Sequence, residues 1–349
     1  MSRNMGIWLA VILIMGIISG LAGCGQATPA TTSTSPQTFP TIRFASREDG
    51  STGYICAVAM ADVFRKSLST NVNVQALPSS AEDFLALKEG RGDIFITGSA
   101  EFNDAYNGTK SMAKAGRVDV RALGSGGIGG AGIIVTNASG VTSGPQLKSK
   151  KLYINYTKMQ FLVDKGRAVL KAYGLDPDKD VTLLSWSTPE EVTDGMREGK
   201  GIGVYYLVGG AKCEQLDATI PGKCRLLPLP QDQTVLEKYM LSIDPSCTLG
   251  TVQPQATVPE PTPGWIMCYT LGCRPGISDD LAYALTKAMW ENVDQLAAGY
   301  RVLGTWKVST AIDPFLVPFH PGAIKYYKEK GVWTVDRDKR QAELLGKFK

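Results

Sequence analysis

The stretch TIRFASREDGSTGYICAVAMADVFRKSLSTNVNVQALPSSAEDFLALKEGRGDIFIT, residues 41–97, alternates between two periods. TIRFAS, NVNVQAL and DIFIT are short β-rich runs, DGSTG is a turn, and YICAVAMADVFRKSL and SAEDFLALKEG carry apolar residues at helical spacing. Strands alternating with helices of this length predict β-α-β units, a largely parallel sheet and an α/β fold. A second series follows a crossing near GIIVTN: KKLYIN, a helix around MQFLVDKGRAVLKAYG, then VTLLSWS, TPEEVTDGMREG, GIGVYYLV and CRLLPLP. Two such units in tandem imply two lobes. The proline-rich VQPQATVPEPTPG leads into WIMCYTLGC, a return strand; a long helix from Ser278 to about Tyr300 and a final one from Gly322 to Lys330 are expected to close the chain. GSGGIGGAG, residues 124–132, lacks the lysine and following helix of a phosphate loop and reads as a flexible or tightly packed connection.

Ligands of open α/β sheets bind beyond the carboxyl ends of the strands. At the first such end SREDGSTG runs straight into a helix, which leaves unpaired backbone N–H groups beside serine and threonine hydroxyls. At the second, PSSAED places Ser79 and Glu82 at the spacing of a capping box, with Ser80 next to them. Each feature alone is ordinary capping. Together, facing a second lobe, they make a cleft suited to an anionic group such as a carboxylate.

The amino-terminal region addresses the chain. Arg3 precedes an uncharged apolar run, Ile7 to Ile18, shorter than the about 20 residues of a membrane-spanning helix, and Leu21-Ala22-Gly23-Cys24 follows. That layout is a signal sequence, and the tetrapeptide resembles the lipobox of bacterial lipoproteins, in which Cys24 is acylated and becomes the first mature residue. A permanent membrane anchor and a chance cysteine are the competing readings. The threonine-, serine- and proline-rich segment to Pro40 has the composition of a disordered spacer. The roughly 310 residues beyond it suffice for two lobes. A chain 44% hydrophobic and 20% charged packs a globular body, and a net charge of +4 is too mild to argue for nucleic acid. Six further cysteines, at 56, 213, 224, 247, 268 and 273, suggest disulfides outside the cytoplasm; Cys213 with Cys224 across a short loop is the expected pair, and Cys56 a buried free thiol.

No enzyme motif emerges. The single histidine, His320, lies between Phe319 and Pro321, where packing at the start of a carboxyl-terminal helix is expected. No nucleophile elbow, P-loop, zinc-protease helix or dinucleotide fingerprint is present, and the cysteine spacing lacks the histidines of a zinc site. No cofactor or metal is expected.

Several stretches, in order, carry a family likeness. SREDGSTGYICAVAMADVF resembles the opening segment of the TAXI solute receptors, the extracytoplasmic binding subunits associated with TRAP transporters; QALPSSAEDFLALKEGRGDIFI is similar to their serine-containing turn, helix and Gly-x-x-Asp strand; AYNGT (105–109), LKSKKLYI (147–154) and PFHPGAIKYYKEKG (318–331) match later segments. The resemblance implies a two-lobed type II periplasmic-binding-protein fold with crossing hinge strands. It implies a signal peptide over 1–23, a lipidated Cys24 and linker over 24–40, lobe 1 from 41–137 plus 262–349, and lobe 2 from 138–261. It also implies a lipid-anchored, monomeric extracytoplasmic receptor that captures a small carboxylate-bearing solute and delivers it to a TRAP-type permease. A lipoprotein that signals to a membrane sensor without transport is the alternative.

The likeness carries site residues with it. Positions implied for the ligand are Ser46, Arg47, Gly50, Ser51, Thr52 and Tyr54 at the first strand end, Ser79 and Ser80 at the second, Thr97 and Ser99 at the third, and Asn155, Tyr156, Thr157 and Lys158 in the second lobe. Arg47 and Glu48 replace two family glycines, Gly98-Ser99-Ala100 replaces Gln-Ser-Asp, and Asn155 to Lys158 replace a Gly-Ser-Gly-Thr anion loop. Arg47 or Lys158 is the candidate partner of a carboxylate, the other reading of Arg47 being a solvated loop charge. Tyr54 is a candidate hydroxyl donor; Tyr156, Tyr205, Tyr206 and Trp265 are candidate apolar walls, with core packing as the competing role.

Overall fold

The computed structural model describes residues 38–348; the expected signal peptide, Cys24 and the spacer up to Gln37 lie outside the described residues. The first unit forms as its periodicity predicts: β1 (Ile42–Ser46), α1 (Thr52–Leu68), β2 (Val72–Ala76), α2 (Ser80–Lys88) and β3 (Ile94–Gly98). Helix α3 (Ser99–Asn107) follows at once, and then the long strand β4 (Arg121–Thr136). The second unit comprises β5 (Lys151–Tyr156), α4 (Gln160–Ala172), β6 (Thr182–Trp186), α5 (Pro189–Arg197), β7 (Gly203–Leu207), α6 (Ala211–Thr219), β8 (Cys224–Leu226), the single turn α7 (Gln233–Leu236) and β9 (Thr248–Val252). Strand β10 (Thr262–Cys273) returns, and α8 (Asp279–Glu291), α9 (Val293–Gly299), α10 (Pro321–Glu329) and α11 (Val335–Gly346) end the described chain.

The strands hydrogen-bond in the order β2-β1-β3-β10-β4-β7-β5-β6, with β8 added to β4 and β9 to β10. Pairing is parallel within each unit, β1 with β2 and β3, β5 with β6 and β7. It is antiparallel where β4 and β10 pass between the units. Residues 121–131 of β4 lie against β10 and residues 131–135 against β7, so one strand serves both halves. Strand β10 does the same in reverse, pairing β9 through Thr262–Ile266 and β3 through Tyr269–Cys273. This is the two-lobed type II arrangement with crossing hinge strands.

Five expectations change. GSGGIGGAG is not a connection but the interior of β4. Its glycines are there for close approach: a Cβ on Gly126 would stand 2.3 Å from the indole of Trp306, and one on Gly130 2.3 Å from Val252. Gly129 has φ +108°, at the point where the β4–β10 register shifts. Gly126→Ala is therefore expected to lose about 1–3 kcal/mol of stability, read as a lower midpoint in urea unfolding, because Trp306 is buried and has nowhere to retreat. The long helix from Ser278 divides at Asn292, whose φ of −128° and ψ of 34° leave helical space; α11 follows the helix expected to be last. CRLLPLP is a strand only over Cys224–Leu226. Finally, Cys213 and Cys224 are free thiols, as are the other described cysteines; the Cys213 thiol turns instead to the Leu207 carbonyl at 3.2 Å.

The lobes are sealed by polar nodes as well as apolar packing. In lobe 1, Asp93 accepts from Arg43 N, Nε and Nη2 at 2.7–2.9 Å and from Arg274 Nε at 3.0 Å, which joins β1, β3 and the end of β10. His320, buried and at the N-cap of α10, accepts from Gly322 N through Nδ1 and sets Nε2 against the Pro275 and Ile277 carbonyls, the packing role expected of it.

Candidate functional site

The carboxyl ends of β1, β3, β5, β6 and β7 open onto one cleft between the lobes. It has two compartments that share Arg47, Glu48, Glu101, Tyr156, Met159 and Phe161: an inner chamber of about 200 Å³ and an outer groove of about 590 Å³. Both lobes supply walls to both compartments.

Lobe 1 presents a clamped arginine. Arg47 Nη1 donates to Ser80 Oγ at 2.7 Å and lies 3.6 Å from Glu101, while its Nε lies 3.3 Å from Glu48. The Ser80 and Thr97 hydroxyls donate to the two oxygens of Glu101. Arg47 is thus neither a solvated loop charge nor an unpaired cation: it is mostly buried and neutralised by carboxylates. Helix α1 begins beside it. Ser51 caps the helix by accepting from Tyr54 N, and Gly50, Thr52 and Gly53 line the chamber. Of the expected Ser79 box, the half in which Ser79 Oγ accepts from Glu82 N forms, and Ser79 and Ser80 line the outer groove.

Lobe 2 presents rings. Tyr156, at the end of β5, stacks on Trp186, at the end of β6, with centroids 4.0 Å apart and planes at 17°. Tyr206 meets Trp186 edge-on at 5.6 Å. The hydroxyls of Tyr205 and Tyr206 and the indole N–H of Trp186 are all buried with no hydrogen-bond partner among the described residues. Deeper in the same wall Lys165 of α4 pairs with Asp244 at 2.6 Å, both side chains nearly inaccessible. Lys158 lines the groove and Lys212 the chamber; neither forms an ion pair among the described residues. The Lys212 residue is exposed overall, yet desolvation of its ammonium group lowers its pKa.

The walls include Arg47, Gly50, Ser51, Thr52, Ser79, Ser80, Tyr156, Lys158 and Tyr205 of the expected set. Others stand behind them or elsewhere. Ser46 is wholly buried; Thr97 reaches the site only through Glu101; Ser99 belongs to a buried hydroxyl chain, Ser99–Thr270–Ser125, across β10 and β4. Tyr54 and Asn155 line neither compartment, and Thr157 turns its hydroxyl to the Trp186 carbonyl. Trp265 is core: fully buried, it donates from Nε1 to the Pro230 carbonyl at 3.0 Å. Glu101, Phe161, Lys165, Trp186, Lys212 and Asp244 were not foreseen. Trp186 ends β6 and Glu101 lies in the first turn of α3 just beyond β3, so the rule that found Ser51 and Ser79 also reaches them.

Hydrogen bonds join the lobes on either side of the cleft. Lys110 Nζ, between α3 and β4, donates to the carbonyls of Ser242 and Ile243 at 3.3 and 2.8 Å, directly before Asp244. The Tyr300 hydroxyl, after α9, donates to the Gly209 carbonyl at 2.8 Å. These bonds exist only while the lobes are together. Lys110→Ala is expected to leave the unfolding midpoint nearly unchanged and to weaken solute binding up to about tenfold, measured by titration calorimetry.

Among the described residues no group of three metal-ligating side chains is placed to hold an ion, and no helix is long and apolar enough to cross a membrane. The pattern of the NMT1-like family matches residues 44–331. Solved structures similar to this chain include the alkanesulfonate-binding protein SsuA from Xanthomonas axonopodis pv. citri bound to MOPS, at 14% identity over 87% of this chain and 84% of that one with a TM-score of 0.40. A TRAP periplasmic solute-binding protein from Rhodobacter sphaeroides is similar at 14% identity over 87% and 90%, TM-score 0.44. The VFT2 domain of BvgS from Bordetella pertussis is similar at 11% over 76% and 93%, TM-score 0.42. At such identities and scores these likenesses say nothing of what this chain binds.

Proposed function

Since the chain belongs to the NMT1-like family of periplasmic solute-binding proteins, we propose that it is a lipid-anchored extracytoplasmic receptor that captures a small carboxylate-bearing solute between its lobes and hands it to a TRAP-type permease. One observation carries the reading: the cleft is walled from both lobes, and the lobes are connected by two strands able to hinge. Capture then draws on contacts that exist only when both walls touch the solute. The order of the TAXI-like segments supports delivery to a TRAP permease, and the lipobox-like Leu21–Cys24 supports the anchor. Lys158 and Lys212 replace Arg47 as candidate partners of the carboxylate, since Arg47 is already neutralised by Glu101 and Glu48.

Thermal unfolding of the purified protein against carboxylates, amino acids, sulfonates and aromatic acids tests the proposal. A solute at about 1,000 times its dissociation constant adds on the order of 4 kcal/mol, a plainly visible shift. Absence of any shift across the panel would contradict it.

A further inference from the structure

The inner chamber differs in chemistry from the groove outside it, and the difference names a class of solute. Its charged groups other than Lys212 are engaged within the protein: Lys165 with Asp244, and Arg47 with both Glu101 and Glu48. A second charge on a ligand entering this space would shed water and find no partner. Lys212 is the lining cation left without a salt bridge among the described residues. It stands two residues after Gly210, the N-cap of α6, which faces the first turn of α1 across the cleft; a Cβ on Gly210 would lie 3.5 Å from Thr52 Oγ1. Two helix N-termini and one ammonium group favour a single anionic group there.

The remaining wall is aromatic. Tyr156, half-buried and backed by Trp186 with Tyr206 edge-on behind it, offers flat apolar surface, and about 200 Å³ is room for one ring with a short substituent, given that an apolar cavity of ~150 Å³ holds benzene. Three buried polar groups of this wall, Trp186 Nε1, Tyr205 Oη and Tyr206 Oη, have no partner among the described residues. Buried donors are almost always satisfied, so three orphans on residues that line one chamber point to acceptors that the solute brings. A dicarboxylate brings acceptors to that wall only as a second charge; a substituted or heteroatom-bearing ring brings neutral ones.

Resting on the solute-capture reading above, we propose that the chamber takes a monocyclic aromatic or heteroaromatic monoacid. The ring lies against Tyr156, its acceptors meet the Tyr205, Tyr206 and Trp186 donors behind it, and its acid group faces Lys212 and the ends of α1 and α6.

Titration calorimetry and tryptophan fluorescence on the purified full chain distinguish the outcomes. The probes are benzoate, 4-hydroxybenzoate and nicotinate on one side, and succinate, L-glutamate and ethanesulfonate on the other. The expected result is that an aromatic monoacid binds at least about tenfold more tightly than any of the aliphatic probes and changes tryptophan emission. Tyr206→Phe, which removes one oxygen, is expected to weaken it by about tenfold with the unfolding midpoint unchanged. Trp186→Phe keeps a ring and removes the N–H, and serves if the tyrosine variant folds poorly. Tighter binding of an aliphatic probe would overturn the aromatic assignment and leave solute capture standing, as would aromatic binding indifferent to both variants. Binding of none of the six would overturn the aromatic assignment, and the wider thermal panel then decides solute capture.

Discussion

Lys165→Ala is expected to lower folding stability by about 3–5 kcal/mol. Lys165 and Asp244 meet at 2.6 Å with side-chain exposures of 7% and 3%. Removing the ammonium leaves Asp244 with the amide and hydroxyl of Ser246, which satisfy one oxygen but do not balance a buried charge. Removing both charges together, in Lys165→Met with Asp244→Asn, is expected to restore most of the loss, and a double-mutant cycle in urea measures the coupling. Burial pushes the Asp244 carboxyl up, but the Lys165 charge and the hydrogen bonds outweigh burial and hold its pKa below the ordinary value. The sign follows: a carboxylate depressed in the folded state stabilises it above the ordinary carboxylate range, and this stabilisation fades as pH falls through the lowered value.

Asp83→Asn is expected to act in the other direction, raising stability in mildly alkaline solution. Asp83, on α2, is fully buried, and neither of its oxygens has a hydrogen-bond partner among the described residues. Burial raises its pKa from 3.8 to about 8; Arg47 opposes the rise, and Glu101, Glu48 and Glu82 add to it. The folded protein therefore holds a proton that the unfolded chain releases once pH passes about 4. Stability falls across the window from there to about 8, by up to about 1.4 kcal/mol for each pH unit, and levels off above it. An asparagine does not titrate. Its unfolding midpoint is expected to exceed that of the parent at pH 8 and to match it at pH 4, and equal midpoints at both would show that Asp83 ionises normally.

The first unit was legible because its signals are local. β1 to β3 alternate with α1 and α2 within 57 residues, and Ser51 and Ser79 cap the helices they precede. β4 was not, because side-chain alternation is the signal of a strand and glycines have no side chains to alternate. Its reason for being glycine, Trp306, lies far along the chain. The break at Asn292 has no proline or glycine to announce it.

At the site, residues adjoining strand ends were legible by position, whereas their chemistry was not. Arg47 reads as a free cation until Glu101, more than fifty residues later, is seen to neutralise it. Lys165 reads as the solvated face of a helix, since nothing near it in sequence reveals that Asp244 arrives from a loop beyond β8. Trp265 sits in the right strand for a wall but on the side that packs against Pro230.

Under the proposed function a solute draws the two lobes together about β4 and β10. Paired spin labels at the exposed positions Lys88 on α2 and Lys171 on α4 report it directly, by their distance distribution with and without a saturating ligand. Narrowing of the distribution to one interlobe separation on ligand addition is the predicted result, and Lys110→Ala should broaden it again. A distribution unchanged by a ligand shown by calorimetry to be bound would contradict capture between the lobes.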